Sequence, residues 1–128
     1  MTAADETPGA ELHALFQEVF ALQATLAGVM DRVHQEAGVT TPQHKVIRSL
    51  ERLGSATVPD VAARLGVSRQ FVQTICNELD ARGWLAFRNN PRHKRSKLME
   101  LTPAGREAFC RARQNEDAII ERRLPPDR

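Results

Sequence analysis

Apolar residues recur at helical spacing near the N-terminus. The stripe consists of Leu12, Leu15, Phe16, Val19, Leu22, Leu26, Val29, Met30 and Val33, and it is broadened by Phe20, Ala24 and Ala27. This spacing predicts an amphipathic helix over residues 11–36. Its apolar surface is too wide for one contact, so we expect one side to pack on the chain's own domain and the other on a second copy. A single intramolecular core is the alternative, since 128 residues suffice to bury one.

Two shorter helices are predicted around a tight turn in the middle of the chain. Thr57 is a suitable N-cap for a helix over residues 58–65, and Gly66 can adopt the left-handed conformation that ends it. Ser68 can then cap a second helix over residues 69–82. This order is typical of a helix-turn-helix.

The second of these helices has one apolar face and one polar face. The apolar face consists of Val72, Ile75, Cys76 and Leu79. The opposite face carries Arg69, Gln70, Gln73, Thr74 and Asn77. Amide and guanidinium groups pair with base edges in a DNA major groove, so these five are the candidate base-reading residues. The same pattern would also suit an ordinary solvated helix face.

Two strand-like runs follow, with a basic loop between them. Trp84, Leu85 and Phe87 favour a strand before Arg88, and Leu98, Met99 and Leu101 favour a returning strand. Thr102 and Pro103 then open a last helix, predicted over residues 103–124. The protein is therefore predicted to be mainly α, a winged helix-turn-helix whose small wing has two or three strands.

Positive charge is concentrated in this region. Residues 57–97 contain eight basic residues and three acidic ones, a net charge of +5, although the net charge of the whole sequence is only +2. From residue 88 to residue 97 there is no carboxylate. The candidate contacts to phosphates or the minor groove are Ser68, Arg88, Arg92, Lys94, Arg95 and Lys97. A solubilising charge run is the alternative interpretation of the loop.

From Thr40 to Ala108 the sequence resembles the MarR family of bacterial winged-helix regulators. The motifs that carry the resemblance are TPQHKVIRSLERLG (41–54), VPDVAARLGVSRQFV (58–72) and LMELTPAG (98–105). The resemblance implies a homodimer that binds a pseudo-palindromic operator in double-stranded DNA, usually as a repressor, and is released by a small ligand or an oxidant. The effector itself is not identified by the sequence.

The resemblance also implies roles for particular residues. Arg95 matches an arginine that enters the minor groove, whereas His93 stands where family wings commonly have an Asp. The residues expected in the dimer interface are Leu12, Leu15, Phe16, Val19, Phe109, Ile119 and Ile120. Similar proteins usually continue into a further helix, so a sequence that ends at LPPDR is short at its C-terminus.

The resulting domain plan has five parts. We expect a disordered tail at residues 1–10, a dimerisation helix at 11–36, the DNA-binding domain at 37–102, a second dimerisation helix at 103–124, and a short tail at 125–128.

Other classes of function find little support in the sequence. There is no phosphate-binding Gly loop, nucleophile elbow or paired catalytic carboxylate, so we expect no enzyme and no cofactor. The four histidines and two cysteines lack the close spacing of metal ligands, so no metal site is expected. No secretion signal or apolar run of about 20 residues is apparent, so we expect no membrane contact and a cytoplasmic location.

One alternative from a different class stays open. Two aromatic residues raise this alternative, Phe71 at the edge of the outer helix face and Phe87 on the first strand. Exposed aromatic side chains at these positions would favour a protein interface. On this alternative, the protein is a winged-helix module that binds another protein and has lost DNA binding.

Overall fold

The computed structural model describes residues 8–123. Within that range the protein forms α1 (Pro8–Glu36), α2 (Thr41–Leu53), α3 (Val58–Leu65), α4 (Arg69–Ala81), β1 (Leu85–Arg88), β2 (Leu98–Leu101) and α5 (Pro103–Arg123). This arrangement confirms the predicted mainly α fold, in which a winged helix-turn-helix is flanked by an N-terminal and a C-terminal helix.

The helix-turn-helix begins and turns at the residues that the sequence indicated, and α4 ends at Ala81, one residue before the predicted end. The Thr57 hydroxyl accepts a hydrogen bond from the backbone N–H of Asp60, whose carboxylate accepts one from the Thr57 N–H. Gly66 ends α3 with a φ of 68° in the left-handed region. Ser68 caps α4 by accepting a hydrogen bond from the Phe71 N–H at 3.0 Å. Local hydrogen bonds therefore set the angle at which α4 leaves the turn.

The wing is an antiparallel hairpin. Leu85 pairs with Leu101 and Arg88 with Leu98. An isolated bridge between Ala56 and Met99 adds a third, very short strand contact ahead of α3. Because this bridge ties the hairpin to the start of the helix-turn-helix, the loop at residues 89–97 is held beside α4.

A single hydrophobic core joins α2, α3, α4 and the hairpin. Its largest fully buried side chains include Ile47, Leu50, Leu79, Leu85 and Met99. The apolar face predicted for α4 points into it, with Val72, Cys76 and Leu79 fully buried and Ile75 5% exposed. The polar face of α4 is consequently turned outward.

The apolar side chains of α1 remain largely outside this core. Leu12, Leu15, Phe16 and Val19 are each about half exposed, and Phe20 is 66% exposed. The helix is buried only near its C-terminal end, at Val33 and His34. It begins at Pro8, so residues 8–10 of the predicted tail are helical, while residues 1–7 lie outside the described residues. A single isolated protomer therefore leaves most of the apolar stripe uncovered.

By length and composition α1 is also apolar enough to cross a membrane. An 18-residue window within Pro8–Glu36 has a mean hydropathy of 1.2, and none of it is buried. The sequence has no unbroken apolar run of about 20 residues, but that criterion did not anticipate α1. Polar residues interrupt its apolar side chains without lowering its mean hydropathy below that of a membrane-spanning helix.

The start of α5 is tightly packed against the hairpin. The Thr102 hydroxyl accepts a hydrogen bond from the Gly105 N–H and donates one to the Gly83 carbonyl. A Cβ at Gly105 would lie 1.9 Å from the Trp84 carbonyl oxygen, so only glycine fits there. The second tail, predicted at residues 125–128, lies outside the described residues.

Candidate nucleic-acid interface

The outer face of α4 and the wing line one open cleft of about 620 Å³. The residues of α4 that line it are Arg69, Gln70, Gln73, Asn77 and Asp80, and those of the wing side are Phe87, Arg95, Ser96 and Lys97. The structure therefore brings four of the five candidate base-reading residues together with two of the basic wing residues.

The polar residues of α4 are exposed, and hydrogen bonds within the helix orient some of their side chains. Gln73 donates a hydrogen bond from Nε2 to the Asn77 side-chain oxygen at 2.9 Å. The Thr74 hydroxyl donates to the Gln70 carbonyl at 3.0 Å. Thr74 is thus exposed but outside the cleft lining, with its only hydroxyl hydrogen already used. Gln73 and Asn77 each carry an amide, and the donor and acceptor of one such amide can pair with adenine.

The wing loop presents cations that have no acidic partner among residues 8–123. Arg92, Lys94, Arg95 and Lys97 are all exposed, and none of them forms an ion pair there. The loop is shaped by Asn90, whose side-chain oxygen accepts the Arg92 N–H at 3.1 Å. Unpaired cations on a short loop attract phosphates without first breaking an internal ion pair.

Two basic residues of this region have structural partners instead. Arg88 lies 3.5 Å from Glu100 on the neighbouring strand, so a phosphate would have to compete with that carboxylate. Arg82 donates to the Gly38 carbonyl at 2.7 Å and lies over the Trp84 ring. The local net charge therefore overstates the charge available for binding DNA.

A second basic surface was not predicted. Lys45, Arg48 and Arg52 of α2 line a hollow of about 350 Å³ together with Arg64 of α3. The signal was present in the sequence, since these α2 residues are spaced i, i+3 and i+7 and so share one helix face.

The two aromatic residues that raised the alternative function differ in their surroundings. Phe87 is partly buried and packs against the core, so it does not supply the exposed aromatic surface that the alternative function needs. Phe71 is 46% exposed on α4, and Val67 in the preceding turn is 38% exposed. Exposed apolar side chains therefore remain at the start of α4.

The predicted dimer residues also fall into two groups. Ile120 is 52% exposed, like the four residues of α1, and Ile119 is partly buried. Phe109 instead packs against the core and stacks on His44 with ring centroids 5.8 Å apart. Phe109 therefore contributes at least in part to the protomer's own core.

Sequence spacing missed a buried polar cluster where α1, α2 and α5 meet. His34 Nε2 lies 2.8 Å from Glu116 Oε1, and His44 Nε2 lies 3.2 Å from the same oxygen. Burial, and then the neighbouring His34, lower the pKa of His44, which favours its neutral form. His44 Nδ1 is buried with no hydrogen-bond partner in the described part of the protein. These residues are far apart in sequence, so only the packing of three helices reveals the cluster.

The two cysteines have opposite environments. Cys76 is fully buried on α4, and burial raises the pKa of its thiol to about 12. Cys110 is exposed on α5. A thiolate is the reactive form, so Cys76 acts as a small apolar core residue.

Comparison with known proteins identifies the family. A model of the MarR family matches residues 37–96. A MarR family transcription regulator of known crystal structure is 30% identical in sequence to this chain. The two structures match with a TM-score of 0.78, over 88% of this chain and 77% of that one. The chain belongs to the MarR family. This MarR-family protein is also 34% identical, over 114 residues, to an uncharacterized protein of Mycobacterium tuberculosis, with 89% of its own length and 74% of the relative covered.

More distant structures share the fold of this MarR-family member. YusO from Bacillus subtilis is 24% identical with a TM-score of 0.74, over 93% of this chain and 84% of that one. A MarR mutant from E. coli, solved in complex with operator DNA, is 19% identical with a TM-score of 0.76, over 91% of this chain and 83% of that one. The fold described above is therefore that of MarR regulators along most of its length.

Proposed function

We propose that this MarR-family protein is a sequence-specific DNA-binding repressor that acts as a homodimer on a pseudo-palindromic operator. Gln70, Gln73 and Asn77 read bases in the major groove, with Arg69 at the start of the same helix. Arg95 enters the adjacent minor groove, while Ser68, Arg92, Lys94 and Lys97 hold phosphates. Contacts to phosphates position the protein and contacts to bases specify the site.

The shared cleft between α4 and the wing is the observation that carries this proposal. It combines an exposed amide pair, Gln73 and Asn77, with the cations Arg69, Arg95 and Lys97. A MarR structure with the same fold was solved with operator DNA, which supports DNA as the ligand of this surface. The protein would act by binding and not by catalysis.

The exposed stripe of α1 supports the homodimer. Contiguous apolar patches of this kind are uncommon on monomers and usually mark interfaces. A two-fold dimer through α1 and the exposed side of α5, including Ile120, would place the two recognition helices roughly 34 Å apart, about one DNA turn. We assign α1 to this interface instead of a membrane, consistent with a cytoplasmic location.

Release by a small effector completes the proposal. A polar hollow of about 230 Å³ lies between α2 and α5 and is lined by residues that include His44, Arg48, Arg113 and Glu116. A ligand bound there would contact the DNA-binding domain and a flanking helix together. It would lower operator occupancy by favouring a dimer with the wrong helix spacing.

Charge reversal at Arg95 tests DNA binding. We expect Arg95→Glu to lose operator affinity and to flatten the dependence of affinity on salt, because one phosphate-region cation becomes an anion. The measurement is fluorescence anisotropy with promoter-derived and random duplexes at two salt concentrations. Arg106→Glu is the matched control, since Arg106 is exposed on α5 and lies outside the cleft lining.

The protein-interaction module is the second candidate function, and the exposed Phe71 and Val67 favour it. For such a module, Arg95→Glu and Arg106→Glu would behave alike and the parent would show no salt-dependent DNA binding. That result would refute the DNA-binding proposal.

A further inference from the structure

The cluster of His34, His44 and Glu116 lies at the junction between the flanking helices and the DNA-binding domain. His34 is 3% exposed and His44 is 5% exposed. One ring nitrogen of each histidine and one carboxylate oxygen of Glu116 all lie within 4.8 Å of one another. Each residue comes from a different helix, namely α1, α2 and α5. The Glu116 side chain is 22% exposed, so the cluster is partly open to solvent on the α5 side. Burying two imidazoles beside it is costly unless their polar atoms have partners.

Hydrogen bonding on the far side of His34 determines which ring nitrogen donates to Thr41 and which one faces Glu116. The Thr41 hydroxyl donates to Asp31, and it lies 3.0 Å from His34 Nδ1. A hydroxyl has one hydrogen, so the Thr41 oxygen accepts from His34 Nδ1–H. In neutral His34 the lone pair of Nε2 then points at Glu116 Oε1, 2.8 Å away. Two lone pairs cannot face each other at this distance, so either a proton or a metal ion lies between them.

The ring of His44 is held by stacking. His34 lies on it with centroids 4.2 Å apart, and Phe109 lies parallel to it at 5.8 Å. Its Nε2 points at the same Glu116 oxygen at 3.2 Å. Ligand atoms around a tetrahedral zinc ion with bonds of about 2.0–2.1 Å are about 3.3 Å apart. His44 Nε2 and Glu116 Oε1 are close to this separation. To admit the ion, His34 would have to move away from Glu116 and the two stacked rings would have to tilt toward each other.

We propose that His34, His44 and Glu116 bind a divalent transition-metal ion, and that zinc is the ion that fits best. Two imidazoles and one carboxylate form a donor set typical of zinc and suit cobalt as a probe. The Asp31–Thr41–His34 series of hydrogen bonds supplies the outer contacts that fix the orientation of a ligating imidazole. Three protein ligands leave a fourth position for water or a small anion at the hollow beside Arg48 and Arg113.

Metal binding at this junction would control the orientation of the helix-turn-helix. The ion would join α1 and α5 to α2, which packs against α4. Fixing that junction favours one arrangement of the dimer over others and therefore changes operator affinity. This regulatory step rests on the proposed DNA-binding function, whereas the metal site does not.

Metal binding is tested on the full-length protein without an affinity tag, after removal of metal with a chelator. Cobalt(II) should bind once per protomer with the visible absorption of a tetrahedral site, and zinc should displace it. Glu116→Gln should weaken binding by at least about 100-fold, because it removes a direct ligand charge. Glu121→Gln is the matched control, an exposed carboxylate on the same helix, and should bind cobalt like the parent.

Thr41→Val keeps all three ligands and removes only the partner of His34 Nδ1. It should weaken metal binding by about tenfold while leaving one ion per protomer. This variant keeps the proposal testable if Glu116→Gln fails to fold, which circular dichroism would reveal. Equal cobalt affinity for the parent and a folded Glu116→Gln, or no stoichiometric binding by the folded parent, would overturn the site.

The regulatory step is tested by operator binding with and without one equivalent of zinc. We expect at least about a fivefold change in operator Kd for the parent and none for Glu116→Gln. Equal Kd values for the parent with and without zinc would overturn the regulatory step. Failure to bind any DNA in either state would instead refute the proposed function and leave the cobalt result standing.

Discussion

Gly105 illustrates how a single residue joins the wing to the last helix. The backbone of α5 passes so close to Trp84 that a Cβ at position 105 would lie 1.9 Å from its carbonyl oxygen and 2.9 Å from its carbonyl carbon. The Thr102 hydroxyl holds both sides of the contact through Gly83 and Gly105. Glycine is required here because the two backbone segments lie so close together, and not because Gly105 has a positive φ.

Gly105→Ala should lower the free energy of unfolding by about 1–3 kcal/mol or more, because backbone atoms must move to admit the methyl group. Urea unfolding monitored by circular dichroism measures this. Gly28→Ala is the control, since a Cβ at this helical position meets nothing within 4 Å. It should be neutral or slightly stabilising. Parent-like stability of Gly105→Ala would contradict the close contact.

Among the elements, α4 and the wing loop divide recognition between them. The helix presents an amide pair, Gln73 and Asn77, while the loop presents cations without acidic partners within residues 8–123. Amides discriminate between bases, whereas cations attract any phosphate. Substitutions in the two elements should therefore affect binding in different ways.

Gln73→Ala should reduce the preference for operator over random DNA, by about 1–3 kcal/mol if the amide reads one adenine. Lys94→Ala should weaken binding to both duplexes equally and reduce the salt slope by about one. Each variant serves as the control for the other in anisotropy titrations. If both variants lost affinity without loss of specificity, α4 would not read bases.

At the scale of the whole molecule, the uncovered surface is the apolar side of α1. Phe16 is 50% exposed and Phe20 is 66% exposed, whereas the side chains of the core beneath the helix-turn-helix are buried. A second copy of the chain has the same apolar surface, so the two copies can cover each other's α1 stripe. Operator binding by two recognition helices would depend on that assembly.

Phe16→Asp should convert a dimer into a monomer and abolish high-affinity operator binding, because it places a charge in the centre of the apolar stripe. Light scattering after size exclusion measures the mass, and anisotropy measures the affinity. Leu53→Asp is the control, since Leu53 is 43% exposed at the end of α2. A monomeric parent, or a Phe16→Asp variant that stays dimeric, would contradict the assignment of α1.

Much of the fold was predictable because its signals are local. The caps at Thr57 and Ser68 and the turn at Gly66 act within a few residues, so the sequence alone determined where the helix-turn-helix begins and turns. Period-3.6 patterning likewise determined which face of α4 is buried. The wing strands followed from β-favouring residues on either side of a turn.

Contacts between distant residues were decided only by tertiary structure. Packing placed Arg88 beside Glu100, moved Phe87 into the edge of the core and brought Arg95 into the same cleft as Gln73. It also joined His34 to Glu116 across 82 positions of sequence. Spacing along the sequence holds no information about such pairs, because the distance between them depends on how whole helices pack and not on the periodicity of any one helix.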